Sequence, residues 1–197
     1  MSEQRPTDEE LMLAYQAGDV NAFEELFSRY KTRLYQYLRH LLGDAAQAED
    51  VLQTLFMRIH RARAGYRPQA QFSTWVYTIA RNLVRDVWAK HSVAKRHERI
   101  TPASHEEEPV TAAEMGDPDA PTPEALLEHK QTAARVQHAL LALSPEAREV
   151  LVLHKFEGLR FAQIAEVLGC SVSAAKVRAF RALKALQAAL HEKGSLC

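Results

Sequence analysis

The sequence contains little cysteine and no long apolar segment. Only Cys170 and Cys197 occur in 197 residues, far apart and in no CxxC arrangement, so we expect no disulfide framework and a reducing compartment. No apolar run approaches the roughly 18 residues that a membrane span needs, and the N-terminus is polar and acidic, unlike a signal peptide. These absences predict a soluble, cytoplasmic protein with no segment inserted in a membrane.

The common motifs of catalysis and metal binding are also absent. The chain has no GxxxxGK[ST], GxSxG or HExxH, and no GxGxxG after a strand. His91 and His97 are the nearest pair among nine histidines, and six residues apart on a helix they would diverge, which argues against a metal site. We therefore expect a protein that is not an enzyme and holds no cofactor or metal.

Hydrophobic periodicity predicts an all-α protein, because apolar residues recur at three- and four-residue spacing and alternating strand patterns are scarce. Thr7 and Glu10 have the spacing of a capping box, Asp44 can cap a helix, and Ser144-Pro145 is a helix start signal. The predicted helices span about residues 8–17, 20–42, 45–65, 73–90 or beyond, 123–141, 145–157, 161–168 and 172–191.

Composition divides the chain into two parts. Between Thr101 and His129 there are eight acidic residues and five prolines, with no lysine or arginine, a composition typical of a flexible linker. We therefore predict two small helical domains, residues 1–97 and 123–193, joined by a flexible acidic linker over residues 98–122. The formal net charge is zero, so any affinity for nucleic acid must come from local patches.

The third predicted helix carries two distinct faces. Glu49, Asp50 and Gln53 share one surface, since residues three and four apart are neighbours on a helix. The other face is an apolar stripe that consists of Val51, Leu52, Leu55, Phe56 and Ile59. Taken alone, the acid and amide patch is typical of an ordinary solvated face.

The fourth predicted helix ends in a basic stretch. Arg81, Asn82 and Arg85, with Lys90, mix hydrogen-bond donors with the aromatic residues Tyr77 and Trp88. Such a mixture suits nucleic acid, where cations meet phosphate and amides or aromatics meet bases, and it equally suits a solvated basic face. Phe72 and Trp75 are expected to be anchors of the core or of the preceding loop.

The last two predicted helices are separated by a short turn, Gly169-Cys170-Ser171, which is the pattern of a helix-turn-helix. On the final helix an alanine and leucine seam faces inward: Ala175, Ala179, Ala182, Leu183, Leu186 and Leu190. Ser173, Val177, Phe180 and Lys184 face outward between Lys176, Arg178 and Arg181. An outward Phe among cations could touch a thymine methyl or sugar in a major groove; the alternative is a Phe covered by a neighbouring helix.

Four segments together resemble the extracytoplasmic-function group of bacterial sigma factors in the sigma-70 superfamily. AEDVLQTLF at 48–56 is similar to the signature of region two, and FSTWVYTIARN at 72–82 is similar to the segment that follows it. LSPEAREV at 143–150 and EGLRFAQIA at 157–165 are similar to region four. The resemblance covers nearly the whole chain.

The resemblance implies an alternative sigma factor that directs promoter-specific initiation, with core RNA polymerase, promoter DNA and an anti-sigma factor, often membrane-anchored, as partners. The core enzyme would be contacted at its β′ clamp helices and β flap. The clamp-binding residues would be Glu49, Asp50, Gln53 and Phe56. The minus-ten element would be bound by Tyr66, Arg67, Arg81, Asn82 and Arg85. The minus-thirty-five element would be read by Ser173, Ala174, Lys176, Arg178, Phe180 and Arg181.

Two other interpretations stay open. A sigma-like decoy would keep the fold and sequester an anti-sigma factor without initiating transcription, although the basic residues in both DNA-facing helices argue against it. A helix-turn-helix regulator without initiation activity is the other. A response regulator is disfavoured because the N-terminal half shows none of the βα alternation of a receiver domain.

Overall fold

Eight α-helices make up the described part of the chain. A computed structural model describes the backbone of residues 5–97 and 123–194 and the side chains of residues 5–92 and 131–191. No strand occurs in these ranges, which confirms the all-α class. The helices are α1 (Asp8–Gln16), α2 (Val20–Leu42), α3 (Ala45–Ala62), α4 (Phe72–His97), α5 (Pro123–Leu141), α6 (Pro145–Leu151), α7 (Phe161–Leu168) and α8 (Val172–Gly194). The predicted linker and Cys197 lie outside the described residues.

Short-range hydrogen bonds set the helix ends. The capping box at α1 is confirmed, with Thr7 and Glu10 bonding each other's backbone N–H groups. Asp44 accepts from the N–H of Gln47 at 2.7 Å, and Ser144 caps α6 ahead of Pro145. These bonds satisfy N–H groups that the first turn of a helix leaves without partners. Local sequence therefore fixes the starts of these helices.

The N-terminal half, α1 to α4, packs around a set of large buried side chains. A 3₁₀ turn at Arg63–Gly65 ends α3 and leads into the loop before α4. Phe72 is buried and Trp75 is half-buried against the core, as predicted. The fully buried positions of α4 centre on Val76 and Ala80, while Ile79 and Val87 are only partly buried. The largest buried side chains of this half are Met12, Leu34, Tyr37, Leu38, Leu41, Leu55, Phe72 and Tyr77.

The C-terminal half contains the predicted helix-turn-helix. Gly169 ends α7 with φ of 64°, a left-handed conformation that glycine adopts without steric cost. Val152–Phe156 forms a π-helical turn after α6, which the sequence did not predict. In the described side chains of α8, Ala175, Ala179 and Ala182 are buried, and Leu183 and Leu186 are partly buried against the core. The inward seam is confirmed for these residues, while Leu190 is half-buried. Cys170 lies in the turn and is half-buried.

The two halves share one continuous core, with α5, α6 and the π-helical turn against α2, and α7 against α4. His40 lies 2.7 Å from the Gln137 side-chain oxygen and its ring lies 4.3 Å from that of Phe156. Burial lowers the pKa of His40.

Among the described residues, no helix is long and apolar enough to cross a membrane.

Candidate functional site

An apolar groove lies between α2 and α3. Its cavity of about 480 Å³ is floored by the rings of Phe23, Phe27 and Phe56, together with Leu52 and Met57. The Phe27 and Phe56 rings are 4.6 Å apart, and both Phe27 and Met57 are exposed to solvent. Exposed aromatic and methionine side chains gathered at one place are typical of a surface that binds a partner.

The polar rim of this groove contains two of the predicted clamp-binding residues. Glu49 and Gln53 line it on α3, with His60 and Arg61 farther along the same helix. Asp50 is also exposed, and its side chain makes no hydrogen bond or ion pair within the described residues. Phe56 contributes to the apolar floor. The structure thus brings Glu49, Gln53 and Phe56 to one groove, and Asp50 is exposed next to Glu49 in the chain.

The loop before α4 presents one of its two predicted DNA-binding side chains. Arg67 is exposed. Tyr66 is only 2% exposed and its ring lies 5.1 Å from that of Trp75. Burial raises the pKa of its phenol to about 12. Tyr66 therefore anchors the loop to the core in this structure, because burial of its aromatic ring against Phe72 and Trp75 is more favourable than exposure to water.

The face of α4 is partly covered by the C-terminal half. Asn82 and Arg85 are exposed. The Arg81 Nε donates to the Glu149 Oε1 across 2.9 Å, and the Arg81 side chain is only 16% exposed. Tyr77, which the sequence placed among the aromatics available to nucleic acid, is instead fully buried and donates its hydroxyl to Glu157.

Two buried carboxylates therefore face α4, and neither was predicted from the sequence. Burial raises the pKa of Glu149, against the opposing effect of the Arg81 charge and hydrogen bond. Burial likewise raises the pKa of Glu157, against the hydrogen bond from Tyr77 and the charge of Arg33. The one available signal was an acid placed directly before an apolar run, Glu149 before Val150 to Leu153, since buried acids are rare unless they are paired.

The recognition face of α8 is exposed as predicted. Ser173, Lys176, Arg178 and Arg181 are exposed, and Ala174 is half-buried. Phe180 is 60% exposed, so the alternative in which a neighbouring helix covers it is wrong for this structure. The Lys184 ammonium lies 4.8 Å from the centre of the Phe180 ring, a cation–π contact. This helix offers four cationic side chains around an exposed aromatic ring.

Nothing in the described ranges gathers three or more histidine, cysteine or acidic side chains as a metal site would. The three surfaces contain cations, amides, acids and aromatic rings, which are groups suited to binding macromolecules.

Comparison with known proteins matches each half of the chain separately. Residues 26–93 match the family model for sigma-70 region 2, and residues 133–186 match the one for sigma-70 region 4. The chain is 35% identical over 181 residues to the RNA polymerase sigma factor CarQ of Myxococcus xanthus, covering 92% of this chain and 96% of that protein. It is 30% identical over 184 residues to the RNA polymerase sigma-H factor of Pseudomonas aeruginosa, covering 93% of each.

Solved structures show the same arrangement of helices. The structure of CnrH in complex with the cytosolic domain of CnrY matches with a TM-score of 0.68 and 28% identity, covering 94% of this chain and 97% of that one. The sigma factor RpoE from Bartonella quintana, solved with the anti-sigma factor NepR, also matches with a TM-score of 0.68. It is 21% identical and covers 86% of this chain and 96% of that one, which supports the fold alone.

Proposed function

This chain belongs to the extracytoplasmic-function group of sigma-70 RNA polymerase sigma factors. From this we propose which partner of an alternative sigma factor each of its surfaces binds. The groove between α2 and α3 binds the β′ clamp helices of core polymerase. The observation that carries this assignment is an aromatic floor rimmed by Glu49 and Gln53, with Asp50 exposed next in the chain, inside the part that matches region 2. The apolar floor supplies buried area, and the acids select a partner that carries cations.

Promoter DNA is assigned to two further surfaces. Arg67, Arg81, Asn82 and Arg85 bind the non-template strand at the minus-ten element, with Tyr66 supporting the loop from the core. The exposed face of α8 reads the minus-thirty-five element, which its position inside the region 4 match supports. Cations contact phosphates there, and Phe180 is placed for an apolar contact with a base edge.

The same proposal divides the chain into a region 2 domain at 1–97, a linker at 98–122 and a region 4 domain at 123–193. Both matched segments, 26–93 and 133–186, lie inside the two domains. The role is not catalytic, needs no cofactor, and places the protein in the cytoplasm with the polymerase.

An anti-sigma factor is proposed as the regulatory partner. This rests on the family resemblance and on likeness to CnrH, which was solved with the cytosolic domain of CnrY. A membrane anchor on that partner, and contact of region 4 with the β flap, are parts of the proposal that the family resemblance suggests.

The clamp assignment is tested by Asp50→Arg. Its exposed side chain holds no partner among the described residues, so the thermal unfolding curve should stay unchanged while co-purification with core polymerase is lost. Glu146→Arg, a charge reversal at an exposed position of α6, is the matched control and should still co-purify. Unchanged co-purification of Asp50→Arg would contradict the assignment.

Initiation itself is tested by run-off transcription with purified core polymerase across a fragment library of the host genome. New start sites that share two spaced motifs are expected only when the protein is present. Binding to core without transcripts would support the decoy. Failure of the wild-type protein to bind core would leave a helix-turn-helix regulator.

A further inference from the structure

The loop before α4, residues 66–71, is tied at its start by a residue of α1. The Gln16 side-chain nitrogen donates to the backbone oxygen of Arg63 at 2.8 Å and to that of Ala64 at 2.9 Å. The backbone oxygen of Tyr66 lies 3.3 Å from the same nitrogen. Because an amide nitrogen carries two donors, the three carbonyl groups share them. One side chain therefore fixes the position at which the chain leaves α3 and enters the loop.

The Tyr66 carbonyl group links Gln16 to a residue assigned to DNA. Its oxygen also accepts from the Arg67 Nη1 at 2.9 Å, and Arg67 is exposed. The direction of this carbonyl group therefore sets where the guanidinium lies in the loop. Gln16 thus acts on the exposed cation through one shared acceptor.

The end of the loop is tied to the same helix. The Glu9 Oε1 accepts from the Phe72 N–H at 2.6 Å. Phe72 is the first residue of α4, and the first N–H groups of a helix have no partner within the helix and favour a negative charge. Glu9 and Gln16 lie two helical turns apart on one face of α1, about 10 Å along its axis. This helix therefore contacts both ends of the loop.

The helix that carries these two residues is itself fixed to its neighbours. Near its start, Arg29 of α2 donates to the Asp8 carboxylate at 2.7 Å. Near its end, the Tyr15 hydroxyl bonds the His60 ring of α3. All of α1 precedes residues 26–93, which match sigma-70 region 2. An element outside the matched segment, anchored to α2 and α3, thus spans the loop.

We propose that Glu9 and Gln16 are positioning residues for the minus-ten element, which hold the two ends of the loop so that Arg67 is placed for DNA. This inference rests on the proposed function, because it takes the loop as a DNA-binding surface. A short exposed loop without such ties would lose conformational freedom when it binds, and that loss weakens binding. Only the fraction of molecules with the loop in the competent arrangement binds at full affinity. Neither residue needs to contact DNA to have this effect.

The test uses substitutions that change one tie at a time in the full chain. Gln16→Met keeps the length of the side chain and removes both donors. Gln36→Met makes the same exchange at an exposed position of α2 and is the matched control. Glu9→Ala removes the acceptor, whereas Glu9→Gln keeps an oxygen that can accept from the Phe72 N–H. Each protein is assembled with core polymerase before DNA is added.

Two fluorescent probes are taken from one promoter that run-off transcription identifies. The first is the single non-template strand across the minus-ten element, and the second is a duplex that contains only the minus-thirty-five element. Gln16→Met and Glu9→Ala should lower the affinity for the single strand by about 2- to 30-fold, the range for residues that modulate binding without touching the ligand. Their affinity for the duplex should stay unchanged. Gln36→Met and Glu9→Gln should bind both probes as the wild-type protein does.

These readouts separate positioning from a general structural defect. Amide hydrogen exchange in residues 66–72 should become faster in Gln16→Met and Glu9→Ala and stay at the wild-type rate in the two controls. A defect in folding would instead lower the affinity for both probes together. Equal loss for both probes, unchanged affinity of Gln16→Met for the single strand, or equal losses in Glu9→Gln and Glu9→Ala would overturn the inference.

Arg67→Ala distinguishes failure of this inference from failure of the proposed function. It should lower the affinity for the single strand, because it removes the cation that the loop presents. A loss in Arg67→Ala without one in Gln16→Met would overturn the positioning role and leave the assignment of the loop to DNA intact. No loss in Arg67→Ala would contradict that assignment, and the inference with it.

Discussion

Replacing Arg148 with methionine should weaken the fold more than its place on a short helix suggests. The Arg148 side chain reaches back to the end of α5, where its Nε donates to the Leu140 oxygen at 3.0 Å and its Nη2 to the Leu141 oxygen at 2.8 Å. The same Nη2 lies 3.3 Å from the Leu143 oxygen, and Nη1 donates to the Leu41 oxygen of α2. One guanidinium thus donates to three carbonyl groups at and just after the end of α5, where the last turn of a helix leaves carbonyls without helical partners. The Leu140 oxygen also accepts from the Leu143 N–H at 3.1 Å.

The expected loss of stability follows from the hydrogen bonds that these four carbonyl groups accept from Arg148. A hydrogen bond to a charged donor contributes about 1.5–3 kcal/mol, and a buried carbonyl left without a partner costs about 1–3 kcal/mol. The loss is smaller than the sum, because methionine refills much of the volume and needs no desolvated charge; burial already lowers the pKa of the Arg148 guanidinium. We expect the free energy of unfolding to fall by about 2–4 kcal/mol.

Urea unfolding followed by circular dichroism measures this change. Arg135→Met is the matched control, since Arg135 is an exposed position of α5, and it should alter stability by less than about 0.5 kcal/mol. If Arg148→Met costs less than about 1 kcal/mol, water must reach these carbonyls, and the assignment of Arg148 as the cap of α5 is refuted.

Two further substitutions test the fold and the recognition helix. Gly43→Ala should lower the free energy of unfolding in urea by about 1–3 kcal/mol, because Gly43 has a φ of 82° and an added Cβ would lie 2.9 Å from the Leu141 Cδ1. Gly65→Ala is the control, since an added Cβ there meets no atom within 4 Å, and it should be nearly neutral. Equal losses in the two variants would contradict the steric argument. Phe180→Ala should leave stability within about 0.5 kcal/mol but weaken promoter binding by the assembled polymerase, and unchanged binding in a mobility-shift assay would remove Phe180 from the recognition surface.

Features set by neighbouring residues were predictable from the sequence. Thr7, Asp44 and Ser144 start helices because their side chains bond N–H groups within three residues. The predicted end of the helix at residue 157 is followed by Gly158, which has a φ of 69°. The inward and outward faces of α8 were set by 3.6-residue periodicity alone. These features need no knowledge of the other half of the chain.

Features that depend on distant residues were not predictable in the same way. Tyr77 has the pattern of an aromatic beside basic residues, yet its partner Glu157 is 80 residues away. Arg81 and Glu149 are 68 residues apart. A single sequence contains no signal that pairs such positions. For the same reason Tyr66, in a loop with Gly and Pro, looked available to solvent although its ring packs against Trp75.

The contact between the two halves depends on the number of residues in the π-helical turn. At its end the N–H of Glu157 bonds the Val152 oxygen, five residues back, so this turn holds one residue more than an α-helical turn. Deletion of one residue here would restore α-helical winding and rotate the C-terminal helices by about 100°, turning the Glu157 carboxylate away from Tyr77. Substitutions can keep this geometry while a single-codon deletion cannot. Related sequences can therefore be sorted by counting residues between the Ser-Pro start of α6 and the glycine after this turn.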